Sequence, residues 1–417
     1  MLIVIVFMAG YAAIAMEHKV GVNKTATALL AAVACWVLLA LRSSGNIAGV
    51  TGSFGLHLQE TSEVVFFLIG AMTVVQLMDT HGGFQVVTKG IRARDKKQLL
   101  WIVSFMTFVL SSVLGLLPTA IVMAAIFPRM LEDKEDRLVL ASMIIISANA
   151  GGAWSPIGDV TTTMLWIGGR VSAFGLAGKV IVSSLCAMLV PLVYFSLTMQ
   201  NGPVSPVEGA RDSVQPGAKR VFGLGLAALV FVPIFKLLTG LPPVAGMLLG
   251  LGVMWLVTDL MHGEQRVHLK VPEAFSRIDL ASVLFFLGIL LAIAALESAG
   301  ILAQLAGWMD VHVGNKDIIA TLIGLASAVV DNVPLTAATM GMYDLARYPM
   351  DSKLWELLAF SVGTGGSILI IGSAAGVVVM GLEKINFMWY LRKVSLPALL
   401  GYFAGIAAYL VIYRLGV

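Results

Sequence analysis

Eight stretches of this chain stay apolar for about the length a helix needs to cross a bilayer, roughly 17–25 residues. They lie near 1–16, 25–41, 62–80, 177–199, 221–239, 241–260, 280–298 and 389–413. Composition agrees. Of the 417 residues 59% are apolar and only 12% charged, where an ordinary soluble domain carries about 25% charged residues. So few charges cannot clothe a water-exposed surface of that size. A soluble enzyme, a disordered chain and a nucleic-acid binder are excluded. What is left is an all-α integral membrane protein whose main partner is the lipid bilayer. Cys35 and Cys186 lie inside apolar runs and read as packing residues. No basic residue precedes the first apolar run, which reads as a span rather than a secretion signal.

Four further apolar segments do not fit a plain span. Residues 98–131 are interrupted by Gly115 and Pro118, and residues 316–347 by Asp331-Asn332-Val333-Pro334. Each predicts a re-entrant hairpin of two half-helices. Residues 138–168 and 354–382 have Gly-rich centres and predict spans unwound at the middle. Lipid does not tolerate irregular backbone, so the four segments should gather where protein or water surrounds them.

The chain also repeats itself. Val65, Phe67, Gly70 and Gly82 match Val283, Phe285, Gly288 and Gly300 at one shift. Ser111 and Pro118 match Ser327 and Pro334, and Ser147, Gly151, Gly152, Ile157 and Gly158 match Ser361, Gly365, Gly366, Ile371 and Gly372, at nearly the same shift. Each half then has five crossings, an odd number, so the second half enters the membrane inverted. Inverted repeats with broken helices near the midplane are the mark of many secondary transporters. The expected division is 1–199 for the first repeat, 200–220 for a cytoplasmic linker and 221–417 for the second repeat. A transport part is expected at about 98–168 and 316–382, with a scaffold from the other spans. Of the 27 Lys and Arg residues, 19 fall on one side of this topology and 8 on the other. The positive-inside rule puts the first set in the cytoplasm and both termini outside.

Ionisable residues at membrane depth are costly and so mark function. Asp159 lies at the break of the first discontinuous span and Asp331 at the tip of the second hairpin, with no Lys or Arg in either segment. Asn149, Ser155, Thr161, Thr162, Asn332, Thr336, Ser367 and Ser373 add side-chain oxygens, and unwound backbone adds carbonyls. A hard cation such as sodium prefers oxygen ligands, so sodium is placed at Asp159 and Asp331. A buried carboxylate holds either a proton or a cation, which is the physical core of exchange between them. Either Asp can also serve as a helix cap. Gly151, Gly152, Gly158, Gly365, Gly366 and Gly372 permit chain breaks or close packing, and Pro156 and Pro334 stop helices. Glu63, Asp79 and Glu297 fall near span ends and read as interfacial. All six His residues fall in loops or near segment ends, which argues against a buried His relay.

The run from Ser147 through Asn149, Gly151, Gly152, Ser155, Pro156 and Asp159 to Thr162 resembles the NhaD-type Na⁺/H⁺ antiporters of the ion transporter superfamily. The run from Ser327 through Asp331, Asn332 and Pro334 to Tyr343 resembles the same family. The resemblance implies a scaffold and a mobile transport domain, an elevator-like motion and a homodimer. It implies exchange of internal Na⁺ or Li⁺ for external protons in a bacterial inner membrane, with no cofactor. One departure stands out. The family pattern has an Asp-Asn tip in the first hairpin, and here the place reads Gly115-Leu116.

Two other readings compete. An anion carrier of the same fold, for arsenite or a dicarboxylate, fits the missing carboxylate but finds no Lys or Arg in either motif. An intramembrane zinc protease would need a His-Glu-x-x-His run, which is absent. A membrane aspartyl protease, whose two facing Asp residues Asp159 and Asp331 could mimic, has no use for the repeat.

Overall fold

The computed structural model describes residues 2–15, 21–43, 47–83, 93–204, 215, 217–262, 266 and 269–415. Among these, eight helices are long and apolar enough to cross a membrane. The first half begins with α1 (Leu2–Ala15), α2 (Lys24–Arg42) and α3 (Ile47–Thr80). The hairpin α4 (Lys96–Leu114) and α5 (Leu116–Ile126) follows, then the broken pair α6 (Lys134–Ala153) and α7 (Val160–Ile167), and α8 (Ala173–Thr198). The second half begins with α9 (Ala218–Thr239), α10 (Pro243–Met261), α11 (Val271–Arg277), α12 (Leu280–Ser298) and α13 (Ile301–His312). Its hairpin is α14 (Lys316–Ala326) and α15 (Asn332–Met342), and its broken pair is α16 (Lys353–Gly365) and α17 (Ala374–Glu383). It ends with α18 (Phe387–Lys393) and α19 (Ser395–Leu415).

Three elements differ from the expected spans. The span expected at 62–80 begins at Ile47 and runs 34 residues. Its first turns mix Gly, His, Gln and Glu with apolar residues, so a hydropathy count misses a helix that i,i+4 bonds sustain, such as Ser62 Oγ to Leu58 O at 2.6 Å. Among the described residues the first apolar run forms 14 helical residues, a rise of about 21 Å, roughly two-thirds of what a bilayer core needs. The first arm of the first hairpin is 19 residues long, as long as a full span. Both arms of the second hairpin have 11.

The two halves repeat contact by contact. Ser111 Oγ donates to Ala148 O at 2.6 Å, and its counterpart Ser327 Oγ donates to Val362 O at 3.0 Å. A methyl group on Gly151 would overlap the Phe108 carbonyl, and one on Gly365 would overlap that of Gly324. Added to Gly152 or Gly366, a methyl would lie 2.8 or 2.9 Å from the carbonyl oxygen of Gly158 or Gly372. Gly151 and Gly365 therefore let a hairpin arm and a broken span touch backbone to backbone in both halves, and Gly152 and Gly366 let each broken span fold closely over its own break. The repeat also governs outer packing. Gly70 sits against Met247 of α10, and Gly288 against the Ala28 backbone of α2. Helices α2, α3 and α12 pack together on one side, and α8 packs along α19 on the other. The broken spans α6 and α16 are buried almost throughout, whereas the hairpins leave apolar side chains such as Val109, Leu322 and Val329 exposed.

Candidate functional site

Four half-helices begin at the centre of the molecule. Their N-caps are Gly115 for α5, Asp159 for α7, Asp331 for α15 and Ser373 for α17. Asp159 and Ser373, equivalent in the repeat, share extended backbone, with φ/ψ of −140°/153° and −136°/151°. Each helix N-terminus carries roughly half a positive charge. Converging on one spot, they would suit an anion if nothing offset them. The two Asp carboxylates offset them and give the site its negative character.

A cavity of about 140 Å³ lies at this convergence. Asp159, Asp331 and Asn332 line it, with the first hairpin tip from Gly115 to Pro118 and the repeat-related pair Phe67 and Phe285. Asp159 is buried, and its Oδ2 accepts from Thr161 Oγ1 at 2.9 Å and from Asn332 Nδ2 at 3.0 Å. Thr162 Oγ1 donates to the Asp159 carbonyl at 2.9 Å, which fixes the start of α7. Asp331 is half-buried, and its Oδ1 accepts from Val333 N–H at 3.2 Å. Both Asp residues thus cap helices and also face the cavity.

The other sequence candidates fall outside this lining. Asn149 Nδ2 donates to Ser373 Oγ at 3.2 Å at the second break, and its Oδ1 has no hydrogen-bond partner. Thr336 Oγ1 and Ser367 Oγ donate to backbone carbonyls of their own segments, Asn332 O at 3.0 Å and Thr364 O at 2.7 Å. Ser155 Oγ accepts from Ile157 N–H at 3.4 Å in the first break. Pro156 lies in that same break, where its carbonyl accepts from Thr163 Oγ1, and Pro334 lies in the first turn of α15.

Two features were not expected. Lys24, at the start of α2, lines the same cavity as the two Asp residues, so the site does contain a cation. It lies far from either motif in sequence, and only the fold brings it there. His81 and His262 are both buried and meet Nε2 to Nε2 at 2.9 Å, at the ends of α3 and α10. Their positions near segment ends concealed a buried pair.

Two more cavities flank the site. One of about 150 Å³ shares Met72, Val75, Leu117 and Pro118 with the central cavity and leads to Gln76, Asp79, Arg277 and Asp279. Another of about 380 Å³ holds His57, Glu60, Glu63, Arg170 and Glu297 and shares no lining residue with the centre. The central cavity therefore abuts the first of these and not the second.

Inverted repeats and broken helices around a charged cavity define a secondary transporter. A family described as citrate transporter (CitMHS) matches residues 11–355. Sodium/proton antiporter 2 of Arabidopsis thaliana is 49% identical, over 98% of this chain and 99% of its own length. The Na⁺/H⁺ antiporter NhaD of Alkalimonas amylolytica is 30% identical, over 97% of this chain and 89% of its own. The YdaH transporter of Alcanivorax borkumensis superposes with a TM-score of 0.60 at 12% identity, covering 90% of each chain, and so shares the fold. The chain belongs to the NhaD-type Na⁺/H⁺ antiporter family.

Proposed function

We propose that this protein exchanges Na⁺, or Li⁺, for protons across a membrane that carries a proton gradient. The observation that carries the reading is the placement of Asp159 and Asp331 from opposite repeats in one buried cavity, offsetting four converging helix N-termini. A desolvated carboxylate pair must take up either a cation or protons, and taking one excludes the other. Relatives named as sodium/proton antiporters support this reading.

We further propose that 98–168 and 316–382 move as a transport unit in an elevator-like way. The scaffold is the rest of 1–199 and 221–417, joined by the 200–220 linker, and two copies form a homodimer. Asn149, Ser155, Thr161, Thr162, Thr336, Ser367 and Ser373 shape the breaks around the two Asp residues. With the Lys- and Arg-rich side in the cytoplasm, the adjoining cavity at Asp79 and Asp279 would be the inward route to the site. The relatives include plant as well as bacterial proteins, so the bacterial inner membrane is one setting for this activity.

The test is Na⁺-dependent collapse of a pH gradient in proteoliposomes, with Asp159→Asn and Asp331→Asn abolishing it. Unchanged exchange in both variants overturns the site. Anion carriage is the second reading, because Lys24 and four helix N-termini face the cavity and the matching family is described as citrate transporter. Labelled citrate uptake without Na⁺/H⁺ exchange would establish it instead.

A further inference from the structure

Lys24 is held in place from the α12 side of the cavity. Asn23 caps α2 through its Oδ1, which accepts from Thr25 N–H at 2.8 Å. Thr25 Oγ1 donates to Ala281 O at 2.8 Å and ties the start of α2 to the start of α12. Gly288 then lets the two helices approach to backbone contact at Ala28. The Lys24 ammonium lies 4.8 Å from the Phe285 ring centroid, over a ring that is itself buried. Its stem rests on an apolar wall while its charge enters the cavity that Asp159 and Asp331 also line.

Among the described residues lining the cavity, Lys24, Asp159 and Asp331 are the charged ones. Asp331 rides on the second hairpin, whereas Lys24 belongs to the α2–α12 pair, which packs against the second arm of that hairpin through α12. The two Asp residues draw a cation in, and the lysine repels it. The first repeat offers nothing comparable, since Gly115 stands where Asp331 has its counterpart.

We propose that Lys24 is a charge-balancing residue of the exchange cycle, which stands in as counter-ion to Asp331 in the empty cavity and competes with the incoming cation. Because it is anchored to α12, the pairing belongs to the conformation described here and ends when the hairpin moves away from that wall. Lys24 thereby weakens cation binding and favours return of an unloaded site. The inference rests on the cation-exchange reading above.

The experiment compares wild type, Lys24→Gln, Lys24→Met and Lys24→Arg in proteoliposomes, normalised to incorporated protein. Na⁺-dependent collapse of a pH gradient is followed at alkaline pH, where protons compete least. Removing one unit charge from the cavity should lower the KM for Na⁺ about tenfold in Lys24→Gln. Lys24→Met keeps the apolar stem against Phe285 and should show the same fall. Lys24→Arg should stay within about twofold of wild type, since it keeps the charge. A KM unchanged in both neutral variants, whatever happens to the maximal rate, overturns the inference and leaves Lys24 a membrane-surface anchor. Absence of Na⁺/H⁺ exchange in wild type would instead overturn the exchange reading itself.

Discussion

Asn332, at the tip of the second hairpin, donates from Nδ2 to Oδ2 of Asp159, 3.0 Å away and 173 residues earlier in the chain. The bond joins the tip of one repeat to the break of the other. It adds a donor from the other repeat to a buried carboxylate that Thr161 already serves. A cation that binds Asp159 must share this oxygen with Asn332 and Thr161 or displace them. The amide oxygen of Asn332 travels with its nitrogen, so a small rotation would turn the side chain from donor to ligand.

Removing either partner should therefore separate binding from charge. Asp159→Asn removes the carboxylate and should abolish Na⁺-dependent collapse of a pH gradient. Asn332→Ala leaves the carboxylate but strips one donor from a buried acceptor, a loss of about 1–3 kcal/mol. Exchange should persist with a KM for Na⁺ shifted about tenfold, the order such an energy implies. Equal loss in both variants would mean that Asn332 binds the cation as strongly as Asp159 does.

Gly115 explains why the missing carboxylate of the first hairpin is not one substitution away. Its φ/ψ of 91°/156° lies in a region open essentially to glycine alone. Leu116 N–H then donates to Gly158 O at 2.8 Å, locking the tip onto the first break. Gly115→Asp should cost about 1–3 kcal/mol through backbone strain. It should lower the midpoint of thermal unfolding in detergent without tightening Na⁺ binding. Tighter Na⁺ binding in a stable variant would show that the tip can readjust.

The repeat makes a paired prediction about packing. Gly151→Ala would press a methyl onto the Phe108 carbonyl and Gly365→Ala onto that of Gly324, both backbone atoms held in helices. Overpacking of this kind costs about 1–3 kcal/mol. The two variants should be destabilised alike in a thermal melt, and each should slow exchange, because the broken spans carry the N-caps Asp159 and Ser373. Gly178→Ala meets open space and is the control.

Much of this architecture is legible in the chain because lipid leaves few alternatives. Long apolar runs, a Gly or Pro interruption and an odd number of crossings lead to spans, hairpins and an inverted repeat. Ser111 and Ser327 match in sequence and then make the same bond in space. Asp159 and Asp331 stand out because a carboxylate at membrane depth needs a reason. Lys24 does not, since a lysine at the foot of a span looks like any interfacial anchor until α2 is docked on α12. His81 and His262 are hidden for the same reason: each ends a helix, and only the packing of α3 on α10 buries them together. Local pattern reports depth in the membrane, whereas pairing between distant helix ends depends on tertiary contact.

Glu356 tests whether every buried carboxylate in this fold serves transport. Its side chain is fully buried in α16, yet it does not line the central cavity. Tyr409 of α19 donates to its Oε2 at 2.7 Å, and Lys179 of α8 lies 3.5 Å from its Oε1. This arrangement clamps the outer pair α8 and α19 to a broken span. Tyr409→Phe removes the short donor and leaves a buried oxygen unpaired, a cost of about 1–3 kcal/mol. Glu356→Gln keeps an acceptor for Tyr409 and removes a charge whose burial is itself costly, so its net effect should stay within about 1 kcal/mol. Thermal melts in detergent should therefore rank Tyr409→Phe well below Glu356→Gln. The KM for Na⁺ should match wild type in both variants, because neither residue touches the cavity. A changed KM in Glu356→Gln would place this carboxylate on the ion path and contradict its role as a clamp.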